Sequence, residues 1–524
     1  MPLSAVLLTM AEIEVRFALT PPLAQRLKRH HLQDARGPAE QNETVYYDTP
    51  ERLLWQHGAE FRVRRNAKGV KQTVKYQAGA EALFAREEAE IELPTAVPDT
   101  DHLHASIPAS LSARIAGQVL EPVFQTSVTR RKTVFAQGTS QIELAYDQGR
   151  ITAGAGNMPI HEVELELKDG CDTDLADAAL AFLDVVPAGL LTQGKAARGH
   201  QLAAGAKPQP VFQDKQELEP STVLPTAIAA MLRSAFGQAL ANHAPLLETD
   251  NPEAVHQMRV GLRRIRSILS GFRPVLDLSG AEGLLNETKA FFALLGDVRE
   301  ADVFLTETIE TFPPDHGGEE RRAILEREVD RFRNRVRRDA QDFAAGPAFA
   351  RLALGWLRWI EGGGWLRHAQ PLDRLLQNRP VGQFAARRLA SMNKKLQKRG
   401  HRALTGTVDD WHEARIAAKK LRYAGGPLLA VVDDSGSLER TAKGTPRTTK
   451  RLAKLQNELG RFNDLCTVAP FLERVTQGVP ARSRRRFDTA AAYCSGWCDA
   501  QVQYAIPRLE ARWEAFEAAM DQQS

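Results

Sequence analysis

Three charged residues near the amino terminus, Glu12, Glu14 and Arg16, alternate with apolar residues between positions 12 and 17. In an extended strand successive side chains point to opposite faces, so the two carboxylates and the guanidinium share one face. Carboxylate oxygens suit Mg²⁺ or Mn²⁺, and such ions commonly bridge to phosphate groups. The pattern fits a metal site that holds a polyanion, and it also fits the solvent-facing side of an antiparallel sheet.

The same alternation of charged and apolar residues recurs in several segments before residue 170. The charged positions are Glu60, Arg62, Arg64, Lys71, Lys75, Glu88, Glu90, Glu92, Arg130, Lys132, Glu143, Asp147, Glu162, Glu164 and Glu166. Because like charges that face each other on neighbouring strands are destabilising, the acidic segment 162–166 requires basic neighbours or a metal. A barrel closed with its charged faces inward would supply both, with its apolar faces packed outward against helices.

Five segments, taken in chain order, resemble the CYTH domain of the triphosphate tunnel metalloenzymes. They are Glu12–Arg16, Tyr46–Pro50, Phe61–Arg64, Gln141–Asp147 and Lys195–Gly199. The resemblance runs from about residue 10 to about residue 203. It implies an antiparallel β-barrel tunnel in which triphosphates are cleaved or rearranged with Mg²⁺ or Mn²⁺. The sequence also resembles bacterial inorganic triphosphatases that carry a second domain.

The resemblance also implies roles for individual residues. It implies catalytic roles for Glu12, Glu14 and Arg16, which match the family's Glu-x-Glu-x-Lys motif. It implies metal-binding roles for Glu12, Glu14, Glu143, Asp147, Glu162, Glu164 and Glu166. It implies substrate-binding roles for Arg62, Arg64, Lys75, Arg130, Lys132, Lys195 and Arg198. Which carboxylate acts as general base is left open.

Arg16 departs from the family pattern, which has lysine at this position. A guanidinium is bulkier than an ammonium, planar and permanently charged. A role as a phosphate clamp is compatible with this change, whereas proton transfer from the side chain is not. The replacement therefore predicts slower turnover or a different substrate.

Length and charge distribution indicate two domains. Residues 1–210 of the 524 carry 22 basic and 26 acidic side chains, whereas residues 211–524 carry 47 and 39. A segment rich in Gly and Pro near residues 204–223 interrupts both periodicities. We predict a tunnel domain at 10–205, a linker at 206–222 and a helical domain at 223–515.

An internal repeat organises the helical part. Segments 255–266 and 411–422 share a histidine followed by basic residues at intervals of three, four and three. The repeated positions are His256, Arg259, Arg263, Arg266, His412, Arg415, Lys419 and Arg422. On a helix each set falls within roughly 80° of the circumference. Because these like charges repel one another without nearby acids to offset them, the repeat favours a polyanion partner over a solvated surface.

Residues 223–515 resemble the CHAD domain, with the His-x-x-Arg motif present in both halves. The resemblance implies two helical bundles related by a pseudo-twofold axis, with a basic central surface that binds inorganic polyphosphate. Nucleic acid is disfavoured as a partner because the basic helices lack interleaved aromatic residues for base stacking.

Composition excludes several other classes of protein. Four scattered cysteines do not form a disulfide framework or a zinc-type pattern. No apolar run approaches the roughly 20 residues that cross a bilayer. Residues 1–10 lack the basic leader of a signal peptide, and the start at Met1 or Met10 is left open. We expect a cytoplasmic protein without a membrane partner, located at polyphosphate granules if its helical domain binds them.

The sequence thus predicts a metal-dependent inorganic triphosphatase of CYTH–CHAD type, with inorganic triphosphate as substrate and inorganic polyphosphate as partner. Two alternatives stay open. The tunnel could instead act on ATP, as an adenylate cyclase, or on thiamine triphosphate, because these residues address only phosphates. The chain could also be a polyphosphate-binding or granule-associated protein with weak or no catalysis. Oligomeric state is not predicted.

Overall fold

The computed structural model describes residues 10–32, 38–76, 85–212, 218–313, 318–366, 378–430, 432 and 446–521. Residues 1–9, which bear on the choice between Met1 and Met10, lie outside this part. The chain divides into two compact units by its internal contacts. The barrel unit comprises 1–211, 240–254 and 341–363, and the helical unit comprises 212–239, 255–340 and 364–524.

The strands of the barrel unit form one antiparallel sheet. They are β1 (Met10–Ala18), β2 (Glu40–Asp48), β3 (Ala59–Asn66), β4 (Gly69–Tyr76), β5 (Ala85–Leu93), β6 (Glu121–Gln137), β7 (Ser140–Ala153), β8 (Gly156–Asp169) and β9 (Gly189–Leu190). Their hydrogen-bonded order is β5-β4-β3-β2-β6-β7-β8-β1-β9. Strand β1 also pairs with β5, from Met10 opposite Glu88 to Ile13 opposite Ala85. This extra pairing closes eight strands into a ring, so the predicted barrel is confirmed.

Alternation of side chains explains why the ring has a charged inside and an apolar outside. On β1, Val15 and Phe17 are fully buried, and Phe17 stacks on Phe182 of a covering helix with ring centroids 5.2 Å apart. The covering helices of the barrel are α1 (Pro21–His31), α2 (Leu53–Gln56), α3 (Thr100–Ser106), α4 (Ala109–Ile115), α5 (Asp172–Val185) and α6 (Lys195–Ala204). Since the apolar faces are covered by these helices, the charged faces are left to line the interior.

Two helical segments beyond residue 239 group with the strands rather than with the helical unit. Helix α13 (Pro347–Glu361) packs on α5, and ion pairs Arg351–Asp184 at 2.8 Å and Arg358–Asp177 at 2.5 Å flank the contact. The predicted boundaries at 205 and 223 do not anticipate this packing. Its cause is the broad apolar face of α13, which includes the buried Trp356.

The helical unit contains most of the remaining helices. The helices after α6, apart from α13, are α7 (Leu224–Ala241), α8 (His243–Glu248), α9 (Pro252–Gly271), α10 (Glu282–Val303), α11 (Ile309–Thr311), α12 (Gly318–Ala345), α14 (Val381–Leu404), α15 (Val408–Ala430), α16 (Pro446–Cys466), α17 (Val468–Thr476) and α18 (Ala481–Asp521). Of these, α8 belongs to the barrel unit. A π-helical turn, Phe304–Thr308, joins α10 to α11. The prediction that an antiparallel sheet domain precedes a helical region is therefore confirmed.

Among the described residues, no helix is long and apolar enough to cross a membrane.

Candidate functional site

The interior of the barrel is a cavity of about 570 Å³ lined largely by charged side chains. Of the residues that the sequence assigned to the site, those lining the cavity are Glu12, Glu14, Arg16, Arg62, Arg64, Lys75, Arg130, Lys132, Glu143, Asp147, Glu164, Glu166 and Lys195. Glu162 and Arg198 do not line it, and they form an ion pair with each other. The strand pattern therefore brings nearly all of these residues to one place, whereas their individual roles stay predictions.

A deep ionic cluster is built around Lys195, the first residue of α6. Its ammonium lies 2.7 Å from Asp147, 2.5 Å from Glu162 and 2.7 Å from Glu164. Arg130 donates to both oxygens of Asp147, at 2.7 and 2.6 Å, and to Glu164 at 2.5 Å. The three carboxylates are thus neutralised by fixed cations.

Burial and charge compete in setting the pKa values of this cluster. Burial alone would raise the pKa of Glu164, but Lys195 and Arg130 outweigh it and hold that pKa well below its usual range. The same two cations lower the pKa of Asp147 against its burial. Burial would lower the pKa of Lys195, yet the surrounding carboxylates raise it. Asp147, Glu164 and Lys195 are therefore ionised at neutral pH.

A second ionic cluster lies on β1, β3, β4 and β5. Lys75 contacts Glu12 and lies 3.7 Å from Glu88, and Arg62 lies 3.3 Å from Glu60 and 3.7 Å from Glu88. Burial would raise the pKa of Glu12, but Lys75 lowers it below its usual value. Burial raises the pKa of Glu88, and the nearby Glu12 adds to this rise. Glu88 therefore holds a proton more readily than Glu12 does.

Arg64 is the cation of the cavity that has the least compensation. Among the described residues, no carboxylate forms an ion pair with Arg64. A second cation, Arg62, lies two residues before it on the same face of β3. The neighbouring Arg62, and then burial, lower the pKa of Arg64. Such an excess of positive charge in an enclosed space attracts anions.

Three carboxylates form a row across adjacent strands. Glu14 on β1 is directly opposite Glu166 on β8, and Glu166 is directly opposite Glu143 on β7. Each has one cation beside it: Arg16 for Glu14, Lys168 at 2.6 Å for Glu166, and Lys132 at 3.1 Å for Glu143. All three line the cavity. We call Glu14, Glu143 and Glu166 the carboxylate row.

Both acidic groups have the oxygen donors that Mg²⁺ and Mn²⁺ take. Asp147, Glu162 and Glu164 each bring an oxygen within 4.8 Å of the others, so their geometry suits a metal ion. The ammonium of Lys195 already contacts those three carboxylates, however, and would compete with a metal for them. The carboxylate row has one cation for each carboxylate, and its like charges face one another across the strands, an arrangement that a dication would relieve.

Arg16 connects the row to the deep cluster. Its guanidinium contacts Glu14, and its Nε lies 3.5 Å from Glu164. Gly194 lies against the guanidinium, since a Cβ there would be 3.3 Å from the Cζ atom of Arg16. The side chain is thus held at the cavity wall.

We expect Arg16→Lys to retain activity, because one ammonium can still reach a phosphate. Arg16→Ala should lower kcat/KM about tenfold or more, as expected for the loss of one charge-assisted hydrogen bond. Steady-state kinetics with inorganic triphosphate measures both variants. Full activity in both would place Arg16 outside the site.

Some cavity residues were not assigned to the site from sequence. They are Glu40, Asn42, Thr44 and Tyr46 of β2, Glu60 of β3, Lys71 of β4, and Glu88, Glu90 and Glu92 of β5. The residues of β3, β4 and β5 had the charged alternation that could have identified them. On β2 both faces are polar near the start of the strand, so the alternation there does not distinguish inside from outside.

A second cavity, of about 320 Å³, lies in the helical unit. Its basic lining residues are His256, Arg259 and Arg263 from α9, Arg299 from α10, and Arg415 and Lys419 from α15. Both copies of the repeat therefore contribute to one cavity. Arg266, His412 and Arg422, which the repeat also predicted, do not line it, and all three are exposed.

Arg259 is held in place by α10. Its Nη1 donates to the carbonyl of Phe292 at 2.8 Å, and its guanidinium lies 4.2 Å from the centre of the Phe292 ring. Gly296 permits this approach, because a Cβ there would lie 2.9 Å from Nη1. Burial, and then Arg263, lower the pKa of Arg259 to about 10.

Acidic residues also line the helical cavity. They are Glu300, Glu307 and Asp464. Burial raises the pKa of Asp464, although Arg415 and Lys419 act against the rise. Burial also raises the pKa of Glu300. Four arginines and Lys419 against three acids leave the cavity positive overall.

Family comparisons agree with this architecture. A model of the CYTH domain matches residues 10–198, and a model of the CHAD domain matches residues 230–473. An inorganic triphosphatase of Haemophilus influenzae is 29% identical over 181 residues, which cover 34% of this chain and 49% of that protein. An uncharacterized protein of Mycobacterium tuberculosis is 25% identical over 286 residues, which cover 51% of this chain and 52% of that protein. The chain thus matches about half the length of these curated relatives.

Among solved structures, the crystal structure of the CHAD domain from the plant Ricinus communis is similar. It is 26% identical, has a TM-score of 0.49, and the match covers 60% of this chain and 96% of that chain. The two family matches together show a CYTH domain at residues 10–198 followed by a CHAD domain at residues 230–473 of this chain.

Proposed function

We propose that the barrel unit hydrolyses inorganic triphosphate to pyrophosphate and phosphate, and that the reaction depends on Mg²⁺ or Mn²⁺. The observation that carries this proposal is the enclosed cavity, in which a cationic wall and a row of three carboxylates face the same space. The similarity to an inorganic triphosphatase of Haemophilus influenzae supports it.

The cationic wall is suited to hold the triphosphate. Arg62, Arg64 and Arg130 reach the cavity from β3 and β6, and Lys75 and Lys132 add two ammonium groups. Phosphoryl transfer has a loose transition state whose charge is spread over the transferred oxygens, so positioning and electrostatic stabilisation carry most of the catalysis. Among the described residues, Arg64 forms no ion pair with a carboxylate, so no such contact has to break when a phosphate binds to it. We assign Arg64 to the phosphate that becomes most negative.

We assign the metal to the carboxylate row, although the described acids that bring their oxygens within 4.8 Å of one another are Asp147, Glu162 and Glu164. Glu14, Glu143 and Glu166 lie on three neighbouring strands, with Glu12 and Glu164 close on the same faces. A bound metal ion supplies Lewis-acid charge to phosphate oxygens. In this proposal the deep cluster has a different task, because Asp147, Glu162 and Glu164 hold Lys195 and Arg130 rigidly at the cavity wall.

A substrate comparison tests the proposal. Phosphate release from inorganic triphosphate, ATP and thiamine triphosphate should be measured side by side with Mg²⁺ or Mn²⁺. We expect inorganic triphosphate to have the highest kcat/KM, since the lining residues offer charge along the whole cavity. A preference for ATP or thiamine triphosphate would favour the alternative tunnel activities, and no turnover of any substrate would favour a binding protein.

A second function, binding of inorganic polyphosphate, is favoured by the helical cavity. The specific observation is that basic residues from both repeat copies, Arg259 and Arg263 with Arg415 and Lys419, line one cavity. A linear polyanion would replace its condensed counterions with these fixed cations, by analogy with nucleic acid. Location at polyphosphate granules would follow from such binding.

We expect affinity for long-chain polyphosphate to fall as salt rises, and to fall strongly when Arg259 and Arg263, or Arg415 and Lys419, are changed to Glu. The control is Arg482→Glu with Arg486→Glu, which makes the same charge change at exposed positions of α18. Binding is measured on the full chain in metal-free buffer, and melting confirms that each variant is folded. If the folded cavity variants bind polyphosphate with the same affinity as the control variant, this cavity is not the polyphosphate-binding site.

A further inference from the structure

Lys419 differs from the other basic residues of the helical cavity in being an amine. The guanidinium groups of Arg259, Arg263, Arg299 and Arg415 line the same cavity, and Lys419 is its one lysine in the described part of the chain. Arg415 and Lys419 are four residues apart on α15, so their Cβ atoms lie about 5–6 Å apart. An anion held by the arginines is therefore placed beside the amine.

The surroundings favour the neutral, nucleophilic form of this amine. Burial, and then the positive charges of Arg415 and Arg263, lower the pKa of Lys419 to about 7. An ordinary lysine keeps only roughly 0.04% of its amine neutral at pH 7, whereas a lysine with a pKa near 7 is about half neutral. Desolvation combined with neighbouring cations is a known way to activate a lysine nucleophile.

We propose that Lys419 is a self-acylation site for acyl phosphates that bind in the arginine-lined cavity. The inference rests on the anion-binding role proposed above for this cavity. An acyl phosphate carries a phosphate group that suits Arg263 and Arg415, with an electrophilic carbonyl next to it. This combination distinguishes it from inorganic polyphosphate, which has no carbon electrophile.

The reaction needs no further reactant. The neutral nitrogen of Lys419 attacks the acyl carbon, an N–C bond forms, and the C–O bond to phosphate breaks. The proton lost from nitrogen leaves with the phosphate, and the arginines stabilise that leaving group. The product is a neutral amide at position 419.

Acylation would make the helical cavity less favourable for anions. It removes the protonated form of Lys419, and it adds bulk to a cavity of about 320 Å³. Affinity for polyphosphate should therefore fall after acylation. A bound polyanion should in turn protect Lys419, because it occupies the arginines that would hold the acyl phosphate.

The test uses the full chain with acetyl phosphate as the probe, at pH 7.5, with residue-resolved mass spectrometry. Lys420 is the matched control, because it is the next residue on α15, does not line the cavity, and also has a lowered pKa, caused by burial and then by Lys395. We expect acetylation of Lys419 to be at least about tenfold faster than that of Lys420, because the arginines of the cavity hold the phosphate beside Lys419 alone. N-acetoxysuccinimide, a neutral acetylating reagent, should show a smaller preference.

Two further arms separate this inference from the proposed function. Inorganic tripolyphosphate should slow acetylation of Lys419 without affecting Lys420. Arg263→Gln should slow acetylation by acetyl phosphate more than acetylation by the neutral reagent, because the neutral reagent loses only the effect of Arg263 on the pKa of Lys419. If tripolyphosphate binds to the helical cavity but Lys419 reacts no faster than Lys420, the acylation site is refuted and anion binding stands. If tripolyphosphate does not bind and acetyl phosphate shows no preference, both proposals fail.

Discussion

We expect Glu166→Gln to lower hydrolysis of inorganic triphosphate by about a hundredfold or more, because the metal site proposed for the carboxylate row would lose its central ligand. The same change should leave the melting temperature unchanged or slightly higher. Glu166 is directly opposite both Glu14 and Glu143, so its removal relieves repulsion between like charges. Its pairing with the half-exposed Lys168 contributes little to stability.

The matched control is Glu87→Gln. Glu87 is an exposed residue of β5, next to the cavity-lining Glu88 but on the opposite face of the strand. It should keep wild-type activity. Binding of Mn²⁺, followed by electron paramagnetic resonance, should weaken in Glu166→Gln and not in Glu87→Gln. Unchanged metal affinity and unchanged turnover in Glu166→Gln would contradict a metal site in the carboxylate row and would favour one in the deep cluster.

Replacing Lys195 with Met will destabilise the barrel by about 3–5 kcal/mol, the usual cost of leaving buried charges without their partner. Asp147 and Glu162 are almost fully buried, and both contact the Lys195 ammonium. Lys68→Met is the control, because its ion pair with Glu40 lies on the surface. Calorimetry of the full chain measures the change.

The destabilisation by Lys195→Met should depend on pH. In the unaltered protein the pKa values of Asp147 and Glu164 are lowered on folding, so these groups stabilise the fold above their unfolded pKa values near 4. That stabilisation is lost as the pH falls through the folded pKa values. Without Lys195 the folded pKa values rise, so the defect should be greatest near pH 7 and should shrink toward pH 4. A defect that is equally large at both pH values would mean that lost packing, rather than unpaired charge, causes it.

Much of the barrel could be predicted from the sequence because strand alternation is a local signal. Glu12 and Glu164 are placed on the inner face by the same period of two residues that buries Val15 and Val163. The closing pair of strands, β1 with β5, depends on contacts between residues about 75 positions apart, such as Met10 and Glu88. The sequence pattern permits this closure but does not specify its register.

The position of Lys195 shows what the pattern could not resolve. The family motif placed it near the phosphates, whereas its ammonium lies among three carboxylates that were each expected to bind metal. Lys195 lies on a helix, whereas the three carboxylates that it contacts lie on two strands, so no periodic pattern in the sequence connects them. Only the packing of α6 against the barrel brings them together.

The helical repeat predicted a shared face but not the extent of the cavity. Arg266 lies ten residues after His256, about 15 Å farther along α9. Residues on one face of a long helix need not meet the same neighbours, and Arg266 contacts the ring of Phe292 instead of lining the cavity. Likewise, the sequence did not predict that α13 packs on α5.

The central claim is metal-dependent cleavage of triphosphate in the barrel, and phosphorus NMR of the full chain with inorganic triphosphate tests it most directly. With Mg²⁺ or Mn²⁺ we predict loss of the triphosphate signals and equal molar formation of pyrophosphate and phosphate. Addition of excess chelator should stop the reaction, and added metal should restart it. Turnover that continues unchanged in chelator, or triphosphate that stays intact with either metal, would contradict the account.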